Sequence, residues 1–319
     1  MFVYDKGIRL NGSSLWLDAS RKVENCVVSH GHMDHAKKHR FILATEKTVQ
    51  ILKHRIGKTR AQVLPFREPF DFDGYRVTLY PAGHILGSAQ ILIEAHGRRL
   101  LYSGDFNLQN SSTAEPIDIP ESDILIMECT FGRPRYSFPN REEIAQELLL
   151  FIEQALNCGH VPVIIGYALG KSQEAMKLIG DAGYRMAVHS SVAKLSRIYE
   201  TYGIHFGEWE SLDKEDFSGK VLIVTPQAAK NKFLERFERK RTLFLSGWAV
   251  DRGFKYRVKT DAALPLSDHA DFKGLIDYAS KVNASKIYTT HGFEEFALHL
   301  RSSGYDAQPL KQQKQIELF

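Results

Sequence analysis

Residues 30 to 35 read HGHMDH, which brings His30, His32 and His35 together with Asp34 in one short stretch. Imidazole binds zinc, manganese or iron through one ring nitrogen, and a carboxylate can bridge two ions. His30 and His32 stand two residues apart at the end of the apolar run NCVVSH, so both rings can turn to the same side. Asp34 and His35 then follow, at the start of an expected helix. Such a loop offers two nitrogens to one ion, and an oxygen and a nitrogen to a neighbour. That is about half of a two-ion shell.

Three more stretches supply the missing donors. His84 lies on a glycine-flanked turn in PAGHILGSAQ, Asp105 ends the run LLYSGDF and is placed to bridge, and His291 holds the same strand-end position in YTTHGF. Active sites built from loops at one edge of a sheet collect residues that are distant in sequence. The elements that must do the positioning are short apolar runs closed by polar or glycine-rich turns, expected as strands at 14–19, 25–30, 40–45, 75–82, 89–95, 98–105 and 123–129.

From about residue 141 the texture changes. REEIAQELLLFIEQALNCG has apolar residues at helical spacing and ends at Gly159, and strands and helices then alternate, VPVIIGYALG, KSQEAMKLIGDAG, YRMAVHSS, VAKLSRIYETYG, KVLIVTP and AAKNKFLERFER. Alternation of this kind predicts a parallel-sheet α/β domain. After TLFLSGWA the first texture returns with LPLSDHADF, a helix KGLIDYASKV, a strand KIYTTHGF and a last helix EEFALHLRSSG. One domain interrupted by another is expected, residues 1–134 and 251–319 flanking an insert at 135–250.

HGHMDH matches the H-x-H-x-D-H signature of the metallo-β-lactamase superfamily, and GHILGS, SGDF and ECTFG resemble its β-CASP branch, whose members cleave nucleic acids. The resemblance covers essentially the whole chain. It implies a metallo-β-lactamase αββα sandwich carrying a compact inserted β-CASP α/β domain, and two divalent ions, Zn2+ and/or Mn2+. Carried onto this chain, it gives His30, His32 and His84 to one ion, Asp34, His35 and His291 to the second, and Asp105 to both. Asp18 in LWLDAS is similar to the acid that orients ligands from behind, Glu128 to the acid of motif A, His269 in LSDHADF to motif B, and His291 to motif C. GYALGKSQEAM is similar to the branch's "ALG-basic-x-QE" helix start, which makes Gly170, Lys171 and Ser172 candidates for contact with a substrate phosphate, although the stretch is one residue short of a P-loop.

Two ions about 3.5–4 Å apart can share a water and stabilise both attacking and leaving oxygens of a phosphodiester. His269, held by Glu128, is then the candidate donor of a proton to the leaving oxygen, so Asp34, Glu128 and His269 form the expected catalytic set. The ending THGFEEFALHLRSSGYDAQPL and the short insert resemble the bacterial DNA-ligase-associated exonucleases, which implies DNA as substrate and a functional link to a DNA ligase and a helicase. A β-CASP ribonuclease acting on RNA ends is the alternative, because a histidine at motif C is typical of the RNA enzymes. A lactamase or thioesterase would need only the first domain.

The remaining features bound these readings. With 319 residues, 43% hydrophobic and 25% charged, the chain suits a folded protein, and its net charge of +4 permits an anionic partner without demanding one. Basic clusters at 37–40, 53–60, 238–241 and 251–259 would together suit a surface that tracks a phosphate backbone. Cys26, Cys129 and Cys158 form no C-x-x-C pair, which argues against a disulfide framework and fits a cytoplasmic setting. No leader-like start and no apolar run of about 20 residues is present, so no membrane partner is expected.

Overall fold

A computed structural model describes residues 1–212, 217, 219–230 and 232–311. The chain forms two compact units, one made of residues 1–110, 114–136 and the segment from His269 onward, the other of residues 111–113 and 137–268.

The first unit opens with a six-stranded sheet laid down in chain order, β1 (Phe2–Tyr4), β2 (Ile8–Leu10), β3 (Leu15–Leu17), β4 (Asn25–Val27), β5 (Phe41–Ala44) and, after helix α1 (Glu46–Ile56), β6 (Ala61–Val63). Thr45 caps α1 by accepting from the Thr48 amide, Glu46 lies in its first turn and Lys53, His54 and Arg55 in its last, so side-chain charges oppose the helix dipole at both ends. A second sheet starts with β7 (Phe70–Phe72), β8 (Tyr75–Pro81), β9 (Ala89–Ala95), β10 (Arg98–Tyr102) and β11 (Ile124–Glu128).

The second unit follows α2 (Arg141–Asn157) and has a six-stranded sheet whose pairs are all parallel. Its members in chain order are β12 (Val161–Ile165), α3 (Lys171–Asp181), β13 (Met186–Val188), α4 (Ser190–Thr201), β14 (Trp209–Ser211), β15 (Val221–Val224), α5 (Pro226–Lys230), β16 (Lys240–Leu245), α6 (Phe254–Val258) and β17 (Ala262–Leu264). β12 and β15 are buried along nearly their whole length, the mark of strands covered on both faces.

The chain then returns to the first unit with α7 (Phe272–Val282), β18 (Lys286–Thr290), α8 (Glu295–Ser302) and β19 (Ala307–Pro309). β18 pairs parallel with β11, completing a seven-stranded sheet of order β19-β18-β11-β10-β9-β8-β7. The pleat decides what packs where. Ile91 and Ile93 of β9 point inward to meet Leu10, Leu17, Val27 and Leu43 of the first sheet, while Leu92 between them points out to Leu275 and Tyr278 of α7. On the far side, Trp16, Ile42 and Ala44 pack under Val49 and Leu52 of α1. Helix, sheet, sheet and helix are thus stacked in four layers, each buried Leu or Ile contributing roughly 1.5–3 kcal/mol.

Three expectations are corrected here. No helix starts at Asp34: residues 33–35 make a single turn, closed by the Ala36 amide donating to the His32 carbonyl at 3.0 Å, because His35 must point into the interior. The expected helix over 228–239 is split into α5 and a 3-10 turn at Lys232–Arg236, with residue 231 outside the described residues. The insert's sheet does not stop at 250, since β17 pairs in parallel with β16, and its unit extends to Asp268.

Candidate metal centre

β8, β10, β11 and β18 run in one direction, because β10, β11 and β18 pair parallel and β9 pairs antiparallel with both β8 and β10. Their C-terminal ends therefore share one edge of the sheet, and there they deliver His84, Asp105, Glu128 and His291. The opposite sheet brings His30 just past β4. Backbone bonds stitch these ends together: the Ala89 amide donates to Ser29 (2.8 Å), Asn107 to Ala82 (3.0 Å), Ala270 to Phe106 (2.9 Å) and Cys129 to Thr290 (2.9 Å). Gly104 has φ +54°, and a Cβ there would come within 2.8 Å of the Ser29 Cβ, so this close approach needs glycine.

Five overlapping groups of donors result among the described residues, and two of them carry the converging histidines. In the first, ligand atoms of His30, His32, His84 and Asp105 all lie within 4.8 Å of one another; the Nδ1 of His32 is 3.2 Å from His30 Nε2 and 3.1 Å from His84 Nε2. In the second, His35, Asp105 and His291 converge in the same way. Asp105 Oδ2 faces His30 Nε2 at 3.5 Å and His84 Nε2 at 3.7 Å, while Oδ1 faces His35 Nε2 at 3.3 Å and His291 Nδ1 at 3.9 Å. Oδ1 is buried and has no hydrogen bond of good geometry. A buried anionic oxygen in this state is costly unless a cation offsets it. Converging imidazole nitrogens with one carboxylate common to both groups fit two divalent cations.

The electrostatics follow from burial and crowding. Burial and the neighbouring His35 hold His30 well below the ordinary imidazole range. Burial also works against charge on His35, yet the Asp105 and Asp18 carboxylates override it and hold His35 well above that range. For Asp105, burial pushes upward, and His35, His269 and His291 outweigh it, leaving the carboxyl well below its usual value.

Behind the donors, Asp18 receives the Ser29 amide (2.8 Å) and hydroxyl, His35 Nδ1 (2.7 Å) and the Tyr102 hydroxyl (3.1 Å). Asp18 and His291 both hold left-handed backbone, φ +40° and +51°, a strain found where surrounding structure over-determines a residue. Beside the centre, Glu128 is 1% exposed; its Oε1 accepts from the Phe106 amide at 3.0 Å and lies 2.8 Å from His269 Nδ1, and its Oε2 accepts from Thr130. His269 Nε2 is 4.0 Å from Asp105 Oδ2.

Not every expected residue joins. Asp34 is exposed and belongs to neither donor group, although it lines a cavity of about 60 Å³ together with His291, Asp18 and Tyr102. Gly170 gives its amide to Gln173 at 2.8 Å, Lys171 is buried with its ammonium on Asp268, and Ser172 is 0% exposed. The α3 start is capped and closed rather than open to a phosphate. Conversely, Ser29 and Tyr102 join the site without a motif of their own; the one signal in the sequence is a polar residue directly before His30 in VVSH.

Comparison with known proteins adds the context. A family model described as "Beta-lactamase superfamily domain" matches residues 11–189. The "Probable DNA ligase" of Opitutus terrae is 39% identical over 320 residues, covering 99% of this chain, but the chain spans only 31% of that protein's length. The "RNase J-like protein" of Methanocaldococcus jannaschii is 30% identical, with 85% of this chain and 82% of the relative covered. The "Endoribonuclease YSH1" of Eremothecium gossypii is 23% identical over 73% of this chain and 38% of its own. Among solved structures, a protein of unknown function from Enterococcus faecalis V583 shares the fold, with a TM-score of 0.60 at 16% identity over 84% of this chain and 75% of that one. Among the described residues no helix is long and apolar enough to cross a membrane.

Proposed function

We propose, for a chain that belongs to the metallo-β-lactamase superfamily and within it to the β-CASP nucleases, that its activity is hydrolysis of DNA from an end. The observation that carries a phosphodiesterase reading is the His269–Glu128 pair set beside Asp105, the carboxylate common to both donor groups. Our reading gives His30, His32, His84 and Asp105 to one divalent ion and Asp105, His35 and His291 to the other, with Asp34 joining the second on turning its side chain within the cavity it lines with His291. When bound, zinc or manganese ions would activate water and offset charge on the phosphate.

The rest falls to the protein. Glu128 accepts from His269 Nδ1, which fixes the ring and leaves Nε2 toward the centre, where it can hand a proton to the departing oxygen. Glu128 is itself fixed by the Phe106 and Thr130 amides, so the pair does not need to reorganise during the reaction.

DNA is favoured by the likeness, over 99% of this chain and 31% of the relative, to a protein described as a probable DNA ligase, which also supports working alongside a ligase; a helicase as a further associate is part of the same proposal. Free thiols at Cys26, Cys129 and Cys158 support a reducing, cytoplasmic setting. The second reading, a ribonuclease, is supported by the archaeal RNase J-like relative, most of whose length this chain covers. The test is incubation of the protein with end-labelled single-stranded DNA and RNA of matching sequence, with zinc or manganese. Stepwise shortening of DNA ahead of RNA is expected; cleavage of RNA alone would move the substrate to the alternative, and cleavage of neither would sink the phosphodiesterase reading.

A further inference from the structure

Ser29 has no part in the reading above, yet its hydroxyl stands behind both donor groups, touching His30 directly and His35 through Asp18. It is 1% exposed, donates to Asp18 Oδ2 and lies 2.9 Å from His30 Nδ1. The same Asp18 oxygen lies 2.7 Å from His35 Nδ1. A buried path therefore runs from His30 through Ser29 and Asp18 to His35.

Proton counting fixes its polarity. An ionised carboxylate only accepts, and a serine hydroxyl has a single proton. With that proton on Asp18, Ser29 Oγ can only accept from His30, so the His30 proton sits on Nδ1 and the lone pair on Nε2, the atom facing His32 and Asp105. His35 likewise donates from Nδ1 to Asp18 and directs Nε2 at Asp105. Without the hydroxyl, the His30 tautomer is unset and Nδ1 loses the partner that it has here. Asp18, by contrast, retains the Ser29 amide, the Tyr102 hydroxyl and His35.

We infer that Ser29 is a positioning residue that sets the affinity of the first donor group for its ion, while Asp18 alone suffices for the second. The inference rests on the two-ion reading. Groups that orient a metal-bound histidine typically contribute about 10–100-fold in metal affinity.

The test is titration of metal-free protein with zinc against a chromophoric chelator, for wild type, Ser29→Ala, Ser29→Thr and Tyr102→Phe, with the thermal midpoint of each metal-free form. Wild type is expected to take two ions. Ser29→Ala should weaken one of them about 10–100-fold and leave the other within about threefold, Ser29→Thr should restore the hydroxyl and much of the affinity, and Tyr102→Phe should leave the His30 group unchanged. Two ions bound by Ser29→Ala as by wild type would overturn the role of Ser29 alone. So would equal weakening of both ions with a lowered metal-free midpoint, which marks general loosening. Fewer than two ions on wild type would instead overturn the two-ion reading itself.

Discussion

The two units handle charge in opposite ways. In the first, buried His and Asp side chains converge with like groups facing one another, and a buried Asp105 oxygen lacks a hydrogen bond of good geometry. In the second, buried charges are matched: Lys171 on Asp268, and Arg141 on Glu174. Burial still pulls Arg141 down to about 10, because the interior disfavours the charged guanidinium even beside carboxylates. The first arrangement is poor for stability unless a cation completes it. The second needs no added cation, since each of these charges faces an opposite one even though Arg141 Nε and Nη1 lack hydrogen bonds of good geometry, and its charges contribute structure rather than chemistry.

That contrast can be broken most severely at Asp105. Asp105→Asn should lower nuclease turnover about ten-thousand-fold and lower bound metal, because one carboxylate serves both donor groups, while the metal-free protein melts no lower than wild type. Mass spectrometry of metal content alongside the melting curve checks both halves.

His269→Ala should lower turnover about 10²–10³-fold with metal content largely unchanged, since His269 belongs neither to the His30–His32–His84–Asp105 group nor to the His35–Asp105–His291 group. A bis-p-nitrophenyl phosphodiester, whose leaving group needs no proton, should be spared in comparison with DNA.

In the second unit the prediction is reversed. Lys171→Met removes the ammonium that faces the buried Asp268 carboxylate and should cost roughly 3 kcal/mol in denaturant unfolding. A change below about 1 kcal/mol would mean that the other groups around Asp268 hold it and the pair is not structural.

The smallest effect sharpens the contrast among the first unit's own histidines. His39 is buried, accepts from the Val23 amide through Nδ1, and is pulled down to about 4 by burial. Its folded value lies below the unfolded value of about 6.5, so the unfolded chain binds the extra proton first. The stability it contributes is full above about pH 6.5 and is lost as pH falls toward 4. His39→Asn should flatten that fall by about 1–2 kcal/mol in urea midpoints measured between pH 4 and 7.

The donors were legible because they obey local rules: each ends or follows an apolar run, and the runs alternate as sheet-forming sequence does. β1, β2, β6 and β7 were not, being three-residue strands that exist through their neighbours rather than through any pattern of their own. The Asp34–His35 segment read as a helix start, whereas burial of His35 against Asp18 ends the turn at once. Lys171 read as a phosphate contact because its partner Asp268 is far away in sequence, and a long-range pair leaves no local trace. Tyr102 stands among apolar residues in LLYSGDF, and nothing local marks its hydroxyl for Asp18.

His291, the residue that closes the second donor group, lies near the C-terminal end of the described chain, just past a strand that pairs directly with β11. During synthesis, every other donor leaves the ribosome long before it. A nascent chain can gather His30, His32, His84 and Asp105 yet still lack the last ligand and the last inner strand. The topology therefore orders assembly within this chain: the second donor group closes only after β18 has paired with β11.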